Sequence, residues 1–131
     1  MEYKYSDITE KILRASMNVY ATLGNGFQEL IYQRSLVVEF DILNIDFGRE
    51  VSMPVLNKGI HVFERRVDFL INQQICAELK AVIQLKNVHL AQAKNYLEAF
   101  NLEVGLLINF GANILEWKRI FNNKFKSGGK N

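Results

Sequence analysis

The chain has 131 residues, of which 49% are apolar and 23% charged, a size and mix that suit one globular domain and exclude a disordered or low-complexity chain. Its single cysteine, Cys76, excludes an internal disulfide and a cysteine-rich zinc or iron–sulfur centre, and favours a reducing compartment. The net charge of +2 does not by itself imply nucleic acid, although Lys118, Arg119, Lys124, Lys126 and Lys130 crowd the end of the chain.

Met1 to Asp7 lack the basic-then-apolar order of a signal peptide, and no apolar run approaches the length of a membrane span. The expectation is a cytoplasmic protein with no membrane partner, one domain over residues 1–124 and a loose basic tail over 125–131.

Ile8, Ile12, Ala15, Val19 and Leu23 recur at helical spacing and predict a first helix over residues 7–23, with Asp7 as N-cap, Glu10 as its N3 partner, and Gly24-Asn25-Gly26 as its end. A second helix over 28–43 follows from Tyr32, Leu36, Phe40 and Leu43, with Asn44 as its stop. From 46 to 81 the pattern becomes β-rich, and Asn57-Lys58-Gly59 and Asn72-Gln73-Gln74 read as hairpin turns joining three antiparallel strands. Helical spacing returns at Leu90, Ala93, Leu97 and Phe100, followed by strands over 104–109 and 114–121. The order is ααβββαββ, an α/β class.

The second hairpin carries the chemistry. With Asn72, Gln73 and Gln74 as a three-residue loop, Ile71 faces Ile75, Phe69 faces Ala77 and Val67 faces Leu79, so one face is wholly apolar. The other face sets Leu70 beside Cys76, Arg66 beside Lys80, and Asp68 directly opposite Glu78. Like charges opposed on a sheet are destabilising, by roughly 0.2–1 kcal/mol, and a cation removes the repulsion. Carboxylate oxygens suit a hard ion such as Mg2+ or Mn2+. Lys80, two residues past Glu78, reaches the same pocket, which is the layout of metal-assisted phosphodiester hydrolysis. Glu29 extends the apolar stripe of the second helix backwards and should point inward, where a carboxylate needs a partner. Gln92 and Tyr96, four apart, share a helix face and could line the same cleft. The competing reading makes Asp68 and Glu78 solvated charges paired with Arg66 and Lys80, Glu29 a residue favoured by its helix dipole, and Cys76 a core residue.

Gly26-Phe27-Gln28-Glu29-Leu30-Ile31-Tyr32 fits G-x-x-E-x-x-Y and resembles the GxxExxY protein family, a branch of the PD-(D/E)XK nuclease superfamily. Arg66-Val67-Asp68, Ala77-Glu78-Leu79-Lys80-Ala81-Val82, His89-Leu90-Ala91-Gln92 and Gly105-Leu106-Leu107-Ile108-Asn109-Phe110-Gly111 resemble further blocks of that family, in family order. The resemblance implies a restriction-endonuclease-like core, a central mixed sheet flanked by helices. It implies that Asp68 and Glu78 bind Mg2+ or Mn2+ with the Leu79 carbonyl as a third ligand, and that Glu29 supports the metal directly or through water. Lys80 would position or activate the attacking water, and Gln92 with Tyr96 resembles a Q-x-x-x-Y element of exonuclease-like branches. Tyr32 and Tyr96 are the candidates for contacting or supporting nucleic acid. The implied function is metal-dependent hydrolysis of phosphodiesters, DNA favoured over RNA, with a homodimer or larger protein partner plausible because one small domain offers little surface. The alternative is a catalytically inert module of the same fold that binds nucleic acid or a partner protein.

Overall fold

The computed structural model describes residues 5–127. Its elements are α1 (Ser6–Leu23), α2 (Glu29–Ile42), β1 (Phe47–Asn57), β2 (Ile60–Ile71), β3 (Ile75–Lys80), α3 (Asn87–Phe100), β4 (Val104–Asn109) and β5 (Glu116–Phe121), in the expected order. The strands form one sheet, β1-β2-β3-β4-β5. Neighbours are antiparallel except β3 and β4, whose parallel pairing requires a crossover, supplied by α3.

The two faces of the sheet carry separate apolar clusters. Ile12 and Val19 of α1 and Leu36 and Phe40 of α2 pack on Phe69, Ile71, Ile75, Ala77, Leu79, Leu106 and Ile108. On the opposite face, Leu97 and Phe100 of α3 pack on Val67 and Cys76. The molecule is therefore a mixed α/β protein with a central sheet flanked by helices on both sides, the restriction-endonuclease-like arrangement.

Both turns follow their residues. Lys58 and Gly59 have φ of 53° and 82° and leave Asn57 paired with Ile60, the left-handed pair that a tight hairpin requires. Asn72 and Gln73 have φ of 52° and 55°, and the three-residue loop leaves Ile71 opposite Ile75, Leu70 opposite Cys76 and Phe69 opposite Ala77, as the hairpin pattern predicts. Val67 departs from that pattern. It joins the α3-side cluster with Val51, whereas Phe69 faces α2. The cause lies opposite Asp68: Glu50 has φ of 52°, and the β1–β2 ladder passes from Arg49↔Phe69 to Val51↔Val67 without a Glu50–Asp68 pair. A left-handed residue inside a strand breaks the two-residue alternation, so both strands exchange faces at this point.

Three expected boundaries shift. Helix α1 begins at Ser6 after a left-handed Tyr5 and has no side-chain cap, so Asp7 lies in the first turn, where its charge favours the helix dipole, and no Asp7–Glu10 capping box forms. Strand β5 begins at Glu116, and Ile114 is 77% exposed in the preceding bend. The start of the expected tail is tied back, because Lys126 exchanges two hydrogen bonds with the Asn101 side chain. Residues 128–131 of that tail, and Met1 to Lys4 of the N-terminal segment, lie outside the described residues.

Candidate active site

Strands β2 and β3 pair by backbone only as far as Phe69 and Ala77. Beyond that point side chains take over the ladder. The Asp68 N–H donates to Glu78 Oε1 at 3.2 Å, and Asp68 Oδ2 accepts the Leu79 N–H at 2.8 Å. The two carboxyl groups also lie close enough for Glu78 to feel the charge of Asp68. Glu78 is only 8% exposed, and burial first, then the charge of Asp68, push its carboxyl up to about 9. An acidic side chain that is partly buried and one that is buried thus meet, as the register argument requires.

Helix α3 closes one side. Gln92 Oε1 accepts a hydrogen bond from Lys80 Nζ at 3.2 Å, which holds the ammonium at the end of β3. One turn further on, Tyr96 lies close enough to Glu78 and Arg65 to sense both charges. Burial, and next the charge of Glu78, raise its phenol above the ordinary range. The Arg65 guanidinium carbon lies 5.2 Å from the centre of the Tyr96 ring, within cation–π distance. Arg66 does not stand beside Lys80 as its position in the hairpin suggests. It turns outward to Glu50, at 3.3 Å, where both side chains are largely solvated.

Helix α2 closes the other side, with one correction to the inward placement expected of Glu29. Glu29 is the first residue of the helix and is exposed on the rim. Its carboxyl nonetheless senses Lys80 and Asp68; burial raises it above the ordinary value, Lys80 opposes that shift and Asp68 adds to it. The residue that points inward is Gln33, one turn later and 4% exposed. Its Nε2 donates to Asp68 Oδ1 at 2.8 Å, while its Oε1 accepts from Arg49 Nε at 2.8 Å. Sequence reasoning passed over Gln33, although its spacing of four from Glu29 and its place beside the stripe residue Tyr32 were visible signals.

Tyr32 has no surface to offer a nucleic acid. It is fully buried, stacked on Phe110 with ring centres 4.5 Å apart. Its hydroxyl donates to the Gly24 carbonyl at 2.6 Å and accepts the Phe27 N–H at 3.1 Å. It thereby fixes the α1–α2 turn that delivers Glu29 to the rim.

The chain leaving Lys80 is clamped by β4. Asn109, opposite Lys80 in the parallel pair, accepts the N–H groups of Val82 and Gly111 and donates to the Val82 carbonyl. Gly111 lies so close that a β-carbon there would meet Val82 O at 2.4 Å, which only glycine avoids.

Among the described residues no three His, Cys, Asp or Glu side chains gather into a metal-binding group. The donor set still fits a hard divalent ion. Magnesium characteristically takes one or two carboxylates and fills its other positions with water and phosphate. Asp68 and Glu78 are such a pair, and burial together with the Asp68 charge favours a proton or a cation on Glu78.

Comparison with known proteins gives the same frame. The solved structure of SSO0001 is similar over 91% of this chain with a TM-score of 0.57 and 22% identity, a likeness of fold. The chain spans 60% of the length of that solved chain. No curated protein matches the sequence. The pattern of the PD-(D/E)XK nuclease superfamily, whose nucleases generally use divalent metal ions, matches residues 6–120. With that match running from the first turn of α1 to the penultimate residue of β5, the chain belongs to the PD-(D/E)XK nuclease superfamily.

Proposed function

We propose that this protein is a metal-dependent nuclease that hydrolyses phosphodiester bonds of DNA, working with Mg2+ or Mn2+ in a cytoplasmic setting, and that it falls in the GxxExxY branch of its superfamily. The observation that carries this reading is the contact of Asp68 with buried Glu78, with Lys80 at the end of the same strand. Asp68 and Glu78 would hold the ion, with the Leu79 carbonyl as a further ligand and Glu29 supporting it from the rim. When bound, the ion supplies Lewis-acid activation of water and charge neutralisation at the phosphate.

The remaining chemistry belongs to this chain's side chains. Lys80, donating to Gln92 Oε1, has donors left to orient a water or to meet the phosphate oxygens that gain charge during attack. Gln92 would hold the ammonium toward the site. Tyr96, with the Arg65 guanidinium over its ring, would be a supporting part. Cleavage of plasmid, linear duplex and single-stranded DNA, and of RNA, with each metal tests the proposal. Degradation of a DNA form that stops on chelation is the expected result. If metal binds at Asp68 and Glu78 and every substrate survives, the chain is an inert module of the nuclease fold.

A further inference from the structure

Asp68 is the only member of the carboxyl pair bonded to the α2 side. Its Oδ1 takes the Gln33 amide at 2.8 Å and its Oδ2 takes the Leu79 N–H at 2.8 Å. Both oxygens are thus held by N–H donors, which fixes the plane of the carboxylate. Gln33 is itself held, because an amide can rotate to present either end, and Arg49 Nε settles the choice: a guanidinium only donates, so Gln33 must turn its oxygen to Arg49 and its NH2 to Asp68. Arg49 reaches α2 only because β1 exchanges faces at Glu50, which leaves Arg49 on the α2 side and Val51 on the α3 side.

We propose that Gln33 and Arg49 are positioning residues that hold Asp68 in its metal-binding orientation, Arg49 acting through Gln33. The inference rests on the reading of Asp68 as a metal ligand. Partners of this kind, one step removed from a metal ligand, typically change metal affinity about 10- to 100-fold when removed. Among the described residues the buried amide has no hydrogen-bond partners other than Asp68 and Arg49, so its polarity serves this connection.

The test is calorimetric titration of Mn2+ into full-length wild type, Gln33→Met, Arg49→Met, the double variant and Asp68→Asn, each checked for folding by circular dichroism well below its melting temperature. Gln33→Met keeps the side-chain length and removes both hydrogen bonds. The expected result is a loss of roughly 10- to 100-fold in affinity for Gln33→Met. A smaller loss is expected for Arg49→Met, and the double variant should be no weaker than Gln33→Met alone, because residues acting in series are not additive. Wild-type affinity in folded Gln33→Met overturns the role of Gln33, and additive losses in the double variant overturn the series. Asp68→Asn separates the two levels. If it too binds Mn2+ like wild type, the metal site is wrong; if it loses binding while Gln33→Met keeps it, only the positioning role is wrong. Should Gln33→Met fail to fold, Gln33→Leu and Arg49→Met are read by the same criteria.

Discussion

Asp68 Oδ2 accepts the backbone N–H of Leu79 at 2.8 Å, so a side chain stands where the β2–β3 ladder would otherwise continue. This ties the position of one acidic group to the backbone that carries the other. Asp68 and Glu78 cannot drift apart without opening the strand pair, and their repulsion is borne by the fold until a proton or a cation relieves it.

Millimolar Mg2+ or Mn2+ should therefore raise the melting temperature. Binding to the native state alone gives about 2.7 kcal/mol at a hundredfold excess over Kd, a shift of several degrees for a chain of this size. Differential scanning fluorimetry checks it, with Asp68→Asn as the control that should not respond. No shift in wild type with either metal would sink the metal assignment.

The acidity of Glu78 sets a pH dependence. Its folded value of about 9 lies above the ordinary 4.5, so the folded state holds the proton more tightly than the unfolded one. The stabilising contribution is complete below the unfolded value and is lost as pH rises to the folded value. Metal-free protein should accordingly melt at lower temperature toward the alkaline end of that window, and Glu78→Gln should flatten the trend. Metal competes with the same proton, so its stabilising effect should grow over the same interval. Thermal melts across pH, with and without metal, read both slopes; a metal-free stability that increases toward alkaline pH in wild type but not in Glu78→Gln contradicts the argument.

Lys80→Ala should slow DNA cleavage by about 10²–10³ in rate, the usual cost of losing one electrostatic donor to a transition state, while leaving Mn2+ affinity near wild type. The comparison is single-turnover cleavage at equal metal occupancy. Equal rates for the two proteins would remove Lys80 from the mechanism.

Glu50 offers a test of the fold around the site. A non-glycine residue at φ of 52° is strained, by roughly 1–2 kcal/mol. Its ion pair with Arg66 is solvated and worth little. Glu50→Gly should be neutral or stabilising by up to about 1 kcal/mol, whereas Glu50→Val, β-branched and suited to an extended strand, should destabilise by at least that much. Urea unfolding measures both. A stabilising Glu50→Val would show that the exchange of faces is not what this position requires.

The register of the second hairpin was legible because a strand's two-residue period and a polar three-residue loop allow only one pairing that keeps Phe69, Ile71, Ile75 and Ala77 on one face. That was enough to place Asp68 against Glu78. The helix placements of Gln92 and Tyr96 were legible for the same kind of reason. What periodicity could not show was the left-handed Glu50, since nothing in a single glutamate announces positive φ. Uninterrupted alternation puts Val67 and Phe69 together and leaves Asp68 facing α3 alone. The observed exchange lets Asp68 touch Gln33 from one side of the sheet and Glu78 from the other. Glu29 was misplaced because the stripe was continued three residues back from Tyr32, past the end of the helix's buried face; at a helix terminus the first side chain can turn to the rim.

Strand β2 meets β3 only over residues 69–71, so the outer half of the β1–β2 hairpin is a two-stranded ribbon with Leu56, Ile60, Val62 and Phe63 each more than half exposed. Such ribbons are marginal on their own. The molecule thus has two tiers of stability, a five-stranded body that unfolds globally and a ribbon able to open by itself at lower free energy. Amide protons between Met53 and Arg65 should exchange with solvent well before those of β3 and β4. Arg65 sits at the root of the ribbon, so each opening momentarily releases Tyr96 from its cation while the opposing carboxyls stay in place.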